Sequence, residues 1–230
     1  MKLDSSIWII IPAYNEALAI ADVLSSFDRS DYSVVVVDDA SRDGTYEVCE
    51  KFDSLYLLRH LVNLGQGASL QTGIDFALSR GAKYLVTFDS DGQHTRESVD
   101  RLLAPLLAGE CDITLGSRFL AGGEALNIPL SRLKLLRLAT FFTRLTTGLK
   151  ITDTHNGLRA LTDVAAQKIK ITQNRMAHAS QLLTQIGKTG LRYMEVPVKI
   201  RYTDYSLQKG QKMSNAISIL WESLTERLWR

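Results

Sequence analysis

The sequence predicts an α/β fold with a largely parallel sheet and helices on both faces. Short apolar runs rich in β-branched residues alternate with segments of helical period, and glycines fall between many of them. Such alternation is typical of crossover connections, which join parallel strands. The predicted strands are 7–11, 34–37, 56–58, 84–88 and 113–115, and the predicted helices are 17–27, 45–52, 68–79 and 98–107.

The pattern changes after Arg118, where glycines and a proline mark a loop before a long basic and apolar helix over 131–147. This change divides the chain into segments 1–118, 119–211 and 212–230. The later predicted elements are a strand over 158–161, a helix over 179–187, a strand over 192–200 and a C-terminal amphipathic helix over 213–229.

Length and composition indicate one sizeable domain, because 230 residues with 45% hydrophobic content are ordinary for a globular chain. The first apolar run, 7–11, is too short for a signal peptide, and no run approaches the roughly 20 residues of a membrane span. Cys49 and Cys111 lack metal-ligand spacing, which favours a reducing compartment and a cytoplasmic location.

Charge is distributed unevenly along the chain. Residues 1–117 hold 9 Lys and Arg against 18 Asp and Glu, whereas residues 118–230 hold 18 against 7. An acidic half can hold a divalent cation with its ligand, and a basic half suits phosphates or an anionic lipid surface. The alternative interpretation is that the charges of the two halves simply neutralise each other in the fold. We predict no nucleic-acid partner.

Polar residues follow three of the predicted strands directly, in segments 12–16, 38–45 and 89–94. Ligands of open parallel sheets bind at the carboxyl ends of the strands. Asp89 and Asp91 are two residues apart, so an extended backbone places them on one side, where two carboxylates can share a cation. A solvated acidic turn is the alternative explanation for these two residues.

The other two segments offer acceptors for a nucleoside. Asp38 and Asp39 follow the second strand, and either could cap the helix that begins near Asp43, but a cap explains only one of them. A carboxylate at a strand end can accept a hydrogen bond from a nucleobase N–H. Glu16 could accept from ribose hydroxyls in the same way.

Taken in order, several motifs resemble those of glycosyltransferase family 2, and within it the dolichyl- or polyprenyl-phosphate sugar synthases. The resemblance covers nearly the whole chain. Its motifs are residues 12–16, 38–45, 63–67, 89–94, 116–118, 153–159 and 202–212.

The resemblance implies a GT-A fold that binds a nucleotide sugar in segment 1–118 and the acceptor in segment 119–211, with inversion at the anomeric carbon by in-line displacement. It implies Mg²⁺ or Mn²⁺ as the cofactor. The implied metal ligands are Asp89, Asp91 and Gln93. The implied catalytic residues are Asp91, Asp153 and Arg159. The residues implied to bind the donor are Pro12, Tyr14, Glu16, Asp39, Gly67, Asp89 and Ser90.

The acceptor is a polyprenyl phosphate if Arg118, Arg132 and Arg201 bind its phosphate, as the resemblance implies. Surface salt bridges are the alternative for each arginine. Asp153, with His155 behind it, becomes a general base if the acceptor is instead a saccharide hydroxyl in cell-surface polysaccharide synthesis. A loop cap or a partner for Arg159 is the structural alternative for Asp153, and His94 could support the metal loop.

Two helices suggest a peripheral position at the inner face of the cytoplasmic membrane. Helix 213–229 carries an apolar stripe ending in Trp229, and helix 131–147 sets cations along an apolar body. Packing on the core or a homodimer are the alternatives. Many family members carry transmembrane helices after the catalytic domain, whereas this sequence ends at Arg230. Three explanations agree with this difference: an integral membrane partner supplies the anchor, the enzyme is peripheral, or the chain is shortened.

Three rival functions compete with a transferase. A sugar-nucleotide pyrophosphorylase would carry a glycine-rich basic loop where this sequence has 12–16. A receiver-type signalling domain places paired aspartates after its first strand, whereas Asp38 and Asp39 follow the second. A degenerate transferase that only binds partners stays open, although the presence of Asp89 and Asp91 argues against it.

Overall fold

A computed structural model describes residues 5–27, 31–126, 128, 130–154 and 156–201, with the backbone alone at 125, 126, 131 and 132. The predicted helix 213–229 and the motif 202–212 lie outside the described residues, as does His155. Within the described ranges, no helix combines the length and the apolarity needed to cross a bilayer.

The centre of the fold is one seven-stranded sheet in the order β3-β2-β1-β4-β7-β5-β8. Six strands point the same way, and β7 runs antiparallel between β4 and β5. A parallel pair, β6 and β9, forms a second small sheet. The strands are β1 Ile7–Ala13, β2 Ser33–Asp38, β3 Leu55–Arg59, β4 Tyr84–Thr87, β5 Ile113–Ser117, β6 Glu124–Leu126, β7 Arg159–Thr162, β8 Tyr193–Pro197 and β9 Lys199–Arg201.

Helices cover both faces of this sheet, which confirms the predicted fold class. The side chains of β1 alternate between two cores: Ile9 and Ile11 pack with α1 and α4, while Trp8 and Ile10 pack with α3, α6 and α7. A strand buried on both faces needs apolar residues at every position, which explains its unbroken apolar run. The helices are α1 Ile20–Phe27, α2 Thr45–Cys49, α3 Gln66–Ser79, α4 Arg96–Leu107, α5 Leu130–Thr147, α6 Asp163–Lys168 and α7 His178–Thr189.

Several predicted boundaries were wrong for local reasons. Helix α1 begins at Ile20 instead of residue 17, since residues 17–19 form a turn closed by hydrogen bonds to the Glu16 carbonyl. The single strand predicted over 192–200 is two strands. The N–H of Val198 still bonds to β5, at the Ser117 carbonyl (3.0 Å), but its carbonyl accepts the N–H of Glu124 (3.1 Å), and the chain enters the small sheet.

Two short elements were not predicted at all. Strand β6 has only three residues. Helix α6 has six, and its N-terminal signal is Thr162, whose hydroxyl accepts the N–H of Ala165. Strand β4 ends at Thr87, so Asp89 lies in the turn that follows the strand.

Candidate active site

The three polar segments meet at one edge of the sheet, where β1, β2 and β4 end. The hydroxyl of Ser90 donates to the carbonyl of Pro12 (2.9 Å), and the N–H of Asp39 donates to the carbonyl of Ala13 (2.8 Å). The sheet order changes direction at this point, since β2 lies on one side of β1 and β4 on the other. Such switch points form the ligand crevice of open α/β sheets.

Asp39 is buried and organises the loop that follows β3. Its Oδ1 lies 2.7 Å from Nδ1 of His60 and accepts the N–H of Leu64, while its Oδ2 accepts the N–H of Gly65 (2.7 Å). Asp38 forms an ion pair with Arg59 (3.2 Å). Neither aspartate caps α2, whose N-cap is Gly44, so the capping interpretation was wrong.

An open cleft of about 300 Å³ lies beside these residues. Arg59 is fixed at the cleft by its contact with Asp38 and by stacking over the Tyr46 ring, 4.4 Å from its centroid. Aromatic and apolar side chains with a few polar groups suit a flat heterocyclic ligand. The lining residues are Tyr14, Ala40, Ser41, Arg42, Arg59, Leu61, Val62 and Asn63.

Glu16 lies close enough to Asp91 for its charge to raise the pKa of that residue, and Gly67 packs against the segment before α7. Glu16 is buried, and its N–H donates to the Thr45 hydroxyl (2.7 Å). Gly67 lies at the start of α3, where its N–H donates to the carbonyl of Asn174 (2.8 Å). A Cβ on Gly67 would come within 2.0 Å of the Gln173 carbonyl, so this glycine allows the loop to pack on the helix.

Asp89 and Asp91 form an electrostatically strained pair. Burial raises the pKa of Asp91 to about 6, and the negative charge of Asp89 adds to the shift. For Asp89, burial opposes ionisation, but the hydrogen bond from His94 (3.2 Å) and nearby cations outweigh it and hold its pKa below the ordinary value. Gln66 donates to the other oxygen of Asp89 (2.9 Å).

This pair fits a divalent cation. A cation between the carboxylates would relieve the repulsion that raises the pKa of Asp91. In the described ranges no three His, Cys, Asp or Glu side chains converge on one point. Two carboxylates are nevertheless a normal protein contribution for Mg²⁺, which takes further oxygens from water and substrate phosphate.

Gln93 connects the acidic turn to the small sheet. Its N–H donates to Oδ1 of Asp91 (3.0 Å), and its carbonyl accepts the N–H of Arg201 (3.1 Å). The structure therefore brings the backbone of Arg201 next to the acidic turn. Arg132 lies on α5, and its side chain is outside the described atoms.

Arg118 and Asp153 form a buried bidentate ion pair. Nε of Arg118 donates to Oδ2 of Asp153 and Nη2 donates to Oδ1, each at 2.6 Å, and the N–H of Arg118 also donates to Oδ2 (3.2 Å). The two residues are only 5% and 3% exposed. The sequence predicts a catalytic role for Asp153, with a loop cap or a contact with Arg159 as the alternative, and a phosphate as the ligand of Arg118; the structure joins Arg118 to Asp153.

Comparison with known proteins decides the family. The model described as "Glycosyl transferase family 2" matches residues 8–170. This chain belongs to glycosyltransferase family 2. A relative from Methanococcus voltae, UDP-N-acetylglucosamine--dolichyl-phosphate N-acetylglucosaminyltransferase, is 30% identical and the match covers 96% of each chain. Undecaprenyl-phosphate mannosyltransferase of Micrococcus luteus is 29% identical, over 95% of this chain and 97% of its own.

The fold of this glycosyltransferase is GT-A. Glucosyl-3-phosphoglycerate synthase of Mycobacterium tuberculosis, solved with Mn²⁺, uridine diphosphate and glucosyl-3-phosphoglycerate, superimposes with a TM-score of 0.68 at 18% identity. The match covers 94% of this chain and 78% of that chain. The predicted fold and family are therefore confirmed.

The structure brings two further residues close to the candidate site that the sequence did not indicate. His178 is buried beside α3, and its Nδ1 lies 2.8 Å from the Arg175 carbonyl. Burial, and then the charge of Arg159, lower the pKa of His178 to about 4, so the ring is neutral at neutral pH. Burial also lowers the pKa of Arg159 to about 10, against the charges of Asp89 and Asp153.

Glu195 is the second such residue, and its carboxylate accepts the backbone N–H groups of Thr152 (2.7 Å) and Asp153 (3.1 Å). No local signal marks either residue, because His178 opens an ordinary amphipathic helix and Glu195 sits in a short strand. Both become visible only when distant segments are brought together.

Gly157→Ala should damage the acidic turn directly. A Cβ on Gly157 would lie 2.3 Å from Oδ2 of Asp89, so the carboxylate must move. We expect a loss of about 1–3 kcal/mol in the free energy of unfolding and a larger loss of transfer rate. Gly73→Ala, whose Cβ would strike Ile10 in the core at 2.4 Å, is the matched control and should lose stability with kcat retained. Equal kcat losses in the two variants would contradict this role of Gly157.

Proposed function

We propose that this glycosyltransferase moves a sugar from a UDP- or GDP-sugar to a polyprenyl phosphate, with inversion at the anomeric carbon and with Mg²⁺ or Mn²⁺ as cofactor. The observation that carries the choice of acceptor is the ion pair between Arg118 and Asp153, in which the guanidinium holds both carboxylate oxygens. The family itself supports the transfer of a sugar.

Asp153 in this arrangement is a poor general base. Both of its oxygens accept hydrogen bonds from Arg118, and the residue is only 3% exposed, so an acceptor hydroxyl has little access to the carboxylate. A saccharide hydroxyl must lose a proton to a base during transfer, whereas a phosphate monoester, with a second pKa of about 6, is already ionised at neutral pH. The geometry therefore favours a phosphate acceptor.

Each remaining residue has a role in the proposed reaction. The cleft beside Tyr14 and Asp39 would bind the base, Glu16 the ribose, and Gly67 and Ser90 the rest of the donor. Asp89, Asp91 and Gln93 would hold the cation, which supplies neutralisation of the charge that develops on the leaving nucleoside diphosphate. Arg159, buried near Asp89 and Asp153, adds a positive charge at that end of the site.

The acceptor phosphate would bind among Arg118, Arg132 and Arg201. Segments 1–118 and 119–211 would then serve as the donor and acceptor halves of one domain, with 212–230 as a membrane or partner contact. The printed names of the relatives from Methanococcus voltae and Micrococcus luteus include a dolichyl phosphate and an undecaprenyl phosphate, which supports this class of acceptor.

One reaction tests this proposal. Purified protein is incubated with a panel of UDP- and GDP-sugars and a short polyprenyl phosphate, and both the released nucleotide and the glycolipid are measured. We expect glycolipid only with Mg²⁺ or Mn²⁺ present, and its loss on addition of a chelator. Nucleotide release without glycolipid would overturn the proposed lipid-phosphate acceptor and favour a saccharide acceptor. Turnover in excess chelator would overturn the proposed requirement for the cation.

We propose further that α5 places the enzyme on an anionic membrane surface. Its outer face exposes Leu138 (61%), Phe141 (65%) and Leu145 (74%), while Leu136, Ala139 and other residues of the opposite face are buried. Three exposed cations share that outer face. They are Lys134, Arg137 and Arg144. Apolar side chains between cations suit the interface of an anionic bilayer, where each cation contributes about 1 kcal/mol.

Flotation with vesicles of phosphatidylglycerol and phosphatidylcholine tests this surface. We expect the triple variant Lys134→Gln, Arg137→Gln, Arg144→Gln to lose most flotation at low salt, and wild type to lose it as salt rises. The matched control replaces three exposed cations outside α5, Lys51, Arg101 and Lys188, with Gln. Equal flotation of the two triple variants would contradict the role of α5.

A further inference from the structure

Resting on the proposed function, we propose that Glu195 is a positioning residue that holds Asp153 in register with Arg118 at the acceptor end of the site. Glu195 lies on β8, the edge strand, where its backbone pairs with Leu115 of β5. From there its side chain reaches the segment between α5 and β7, which carries Asp153.

The carboxylate of Glu195 binds three donors of that segment. Oε1 accepts the consecutive N–H groups of Thr152 (2.7 Å) and Asp153 (3.1 Å), and Oε2 accepts the Thr152 hydroxyl (3.0 Å). Two consecutive N–H groups on one oxygen fix the orientation of the peptide between them. The direction in which the Asp153 side chain leaves the backbone is thereby set.

The same carboxylate is linked to the other side of the ion pair. The Thr152 hydroxyl lies 2.6 Å from the hydroxyl of Ser117, and Oγ of Ser117 accepts the N–H of Phe119 (3.1 Å). Ser117 and Phe119 flank Arg118 in the chain. The Thr152 hydroxyl donates its hydrogen bond to Glu195, so it must accept one from the Ser117 hydroxyl. Donation therefore runs in one direction, from Ser117 on β5 through Thr152 to Glu195 on β8.

A carboxylate suits this position, and an amide of the same shape does not. All three partners are donors, and an ionised carboxylate offers only acceptors. Glutamine would either turn an NH₂ group toward the Thr152 hydroxyl or place it against two N–H groups. In the first orientation the Thr152 hydroxyl must accept instead of donate, so the Ser117 hydroxyl loses its acceptor; in the second, two N–H groups face a donor and both of their bonds are lost.

The reaction is affected through the guanidinium group of Arg118. Its two parallel bonds to Asp153 require the carboxylate and the guanidinium to be coplanar, and both groups are buried. A shift of the 152–153 segment would misplace the guanidinium relative to the acceptor phosphate. Because a displacement of about 1 Å can cost roughly 100-fold in rate, Glu195→Gln should lower the acceptor kcat/KM by about 10- to 100-fold.

The test compares wild type, Glu195→Gln and the control Glu110→Gln, an exposed carboxylate in the loop between α4 and β5. We expect Glu195→Gln to lower kcat/KM for polyprenyl phosphate and to leave the KM for the nucleotide sugar within about twofold. Hydrogen exchange measured by mass spectrometry should be faster in the peptide containing Thr152 and Asp153, and unchanged in the peptide containing β1.

Unchanged exchange at residues 152–153 would overturn the proposal, as would an acceptor kcat/KM that stays at the wild-type value. An equal rise in donor KM would also overturn it, since it would indicate a general loss of structure. Should Glu195→Gln not fold, Thr152→Val against Thr152→Ser gives the same readouts, with recovery expected in the serine variant.

The exchange measurement keeps the two proposals separate. If wild type transfers no sugar to any polyprenyl phosphate, the proposed function fails. Faster exchange in Glu195→Gln would then still establish that Glu195 holds the Asp153 segment.

Discussion

Asp91→Asn should lower the transfer rate at least about a hundredfold and at the same time raise the Tm of the metal-free protein. The rate falls because the amide cannot supply the charge that holds the cation. The Tm rises because ionised Asp91 is unfavourable in the folded chain, where burial and the charge of Asp89 raise its pKa from 3.8 to about 6.

The stability difference between Asp91→Asn and wild type depends on pH, because it comes from the ionisation of Asp91. Above about pH 6 the folded chain carries the ionised form at a cost, so the variant gains most there. As the pH falls toward 3.8, wild-type Asp91 becomes protonated in the folded chain and the advantage disappears. Thermal unfolding across this range, in chelator, measures it.

Asp53→Asn, an exposed aspartate between α2 and β3, is the control and should change neither the rate nor the Tm. Retention of more than about a tenth of the wild-type rate in Asp91→Asn would contradict the metal role. Such a rate corresponds to a barrier increase smaller than ~1.4 kcal/mol. A Tm below that of wild type at neutral pH would contradict the electrostatic account.

Asp153→Ala should cost about 3–5 kcal/mol in the free energy of unfolding and remove acceptor transfer, because it leaves the buried guanidinium of Arg118 without its carboxylate. Urea denaturation followed by far-UV circular dichroism measures the first effect. The exposed pair of Lys170 and Asp75 (3.2 Å) is the control, and Asp75→Asn should cost less than about 1 kcal/mol.

The double variant Arg118→Met, Asp153→Leu separates stability from function. Apolar side chains of similar volume can replace a buried ion pair with little loss, so most of the stability should return. Transfer should not return, since the proposed phosphate-binding guanidinium is gone. Recovery of transfer in the double variant would show that the pair serves only the fold.

The sequence was sufficient for the elements whose burial is simple. Strand β1 and its parallel neighbours are apolar on both faces, so their position and their sheet were predictable. The direction of β7 was not, because Arg159–Thr162 has the same apolar character whichever way it runs. The break between β8 and β9 depends on the Val198 carbonyl, which accepts the N–H of Glu124, 74 residues earlier.

The position of the acidic residues was predictable in the same way, since Asp89 and Asp91 follow a buried strand, but the extended backbone predicted there was wrong, because β4 ends at Thr87 and residues 90–91 form a turn. The ion pair was not, because Arg118 and Asp153 are 35 residues apart and each also had a reasonable partner elsewhere. The sequence offered Arg159 only as an alternative partner for Asp153. The distances show instead that the end of β5 and the segment before β7 determine the partner.

The antiparallel strand β7 has a consequence for synthesis of the chain on the ribosome. Its residues 159–162 complete the hydrogen bonding of β4, which ends at Thr87 and is translated more than seventy residues earlier. Until then the nascent chain presents one side of β4 with unsatisfied N–H and C=O groups, beside apolar residues, which is the kind of surface that pairs with other chains. A truncation before Arg159 should therefore precipitate, and the growing polypeptide is expected to need a chaperone over that interval.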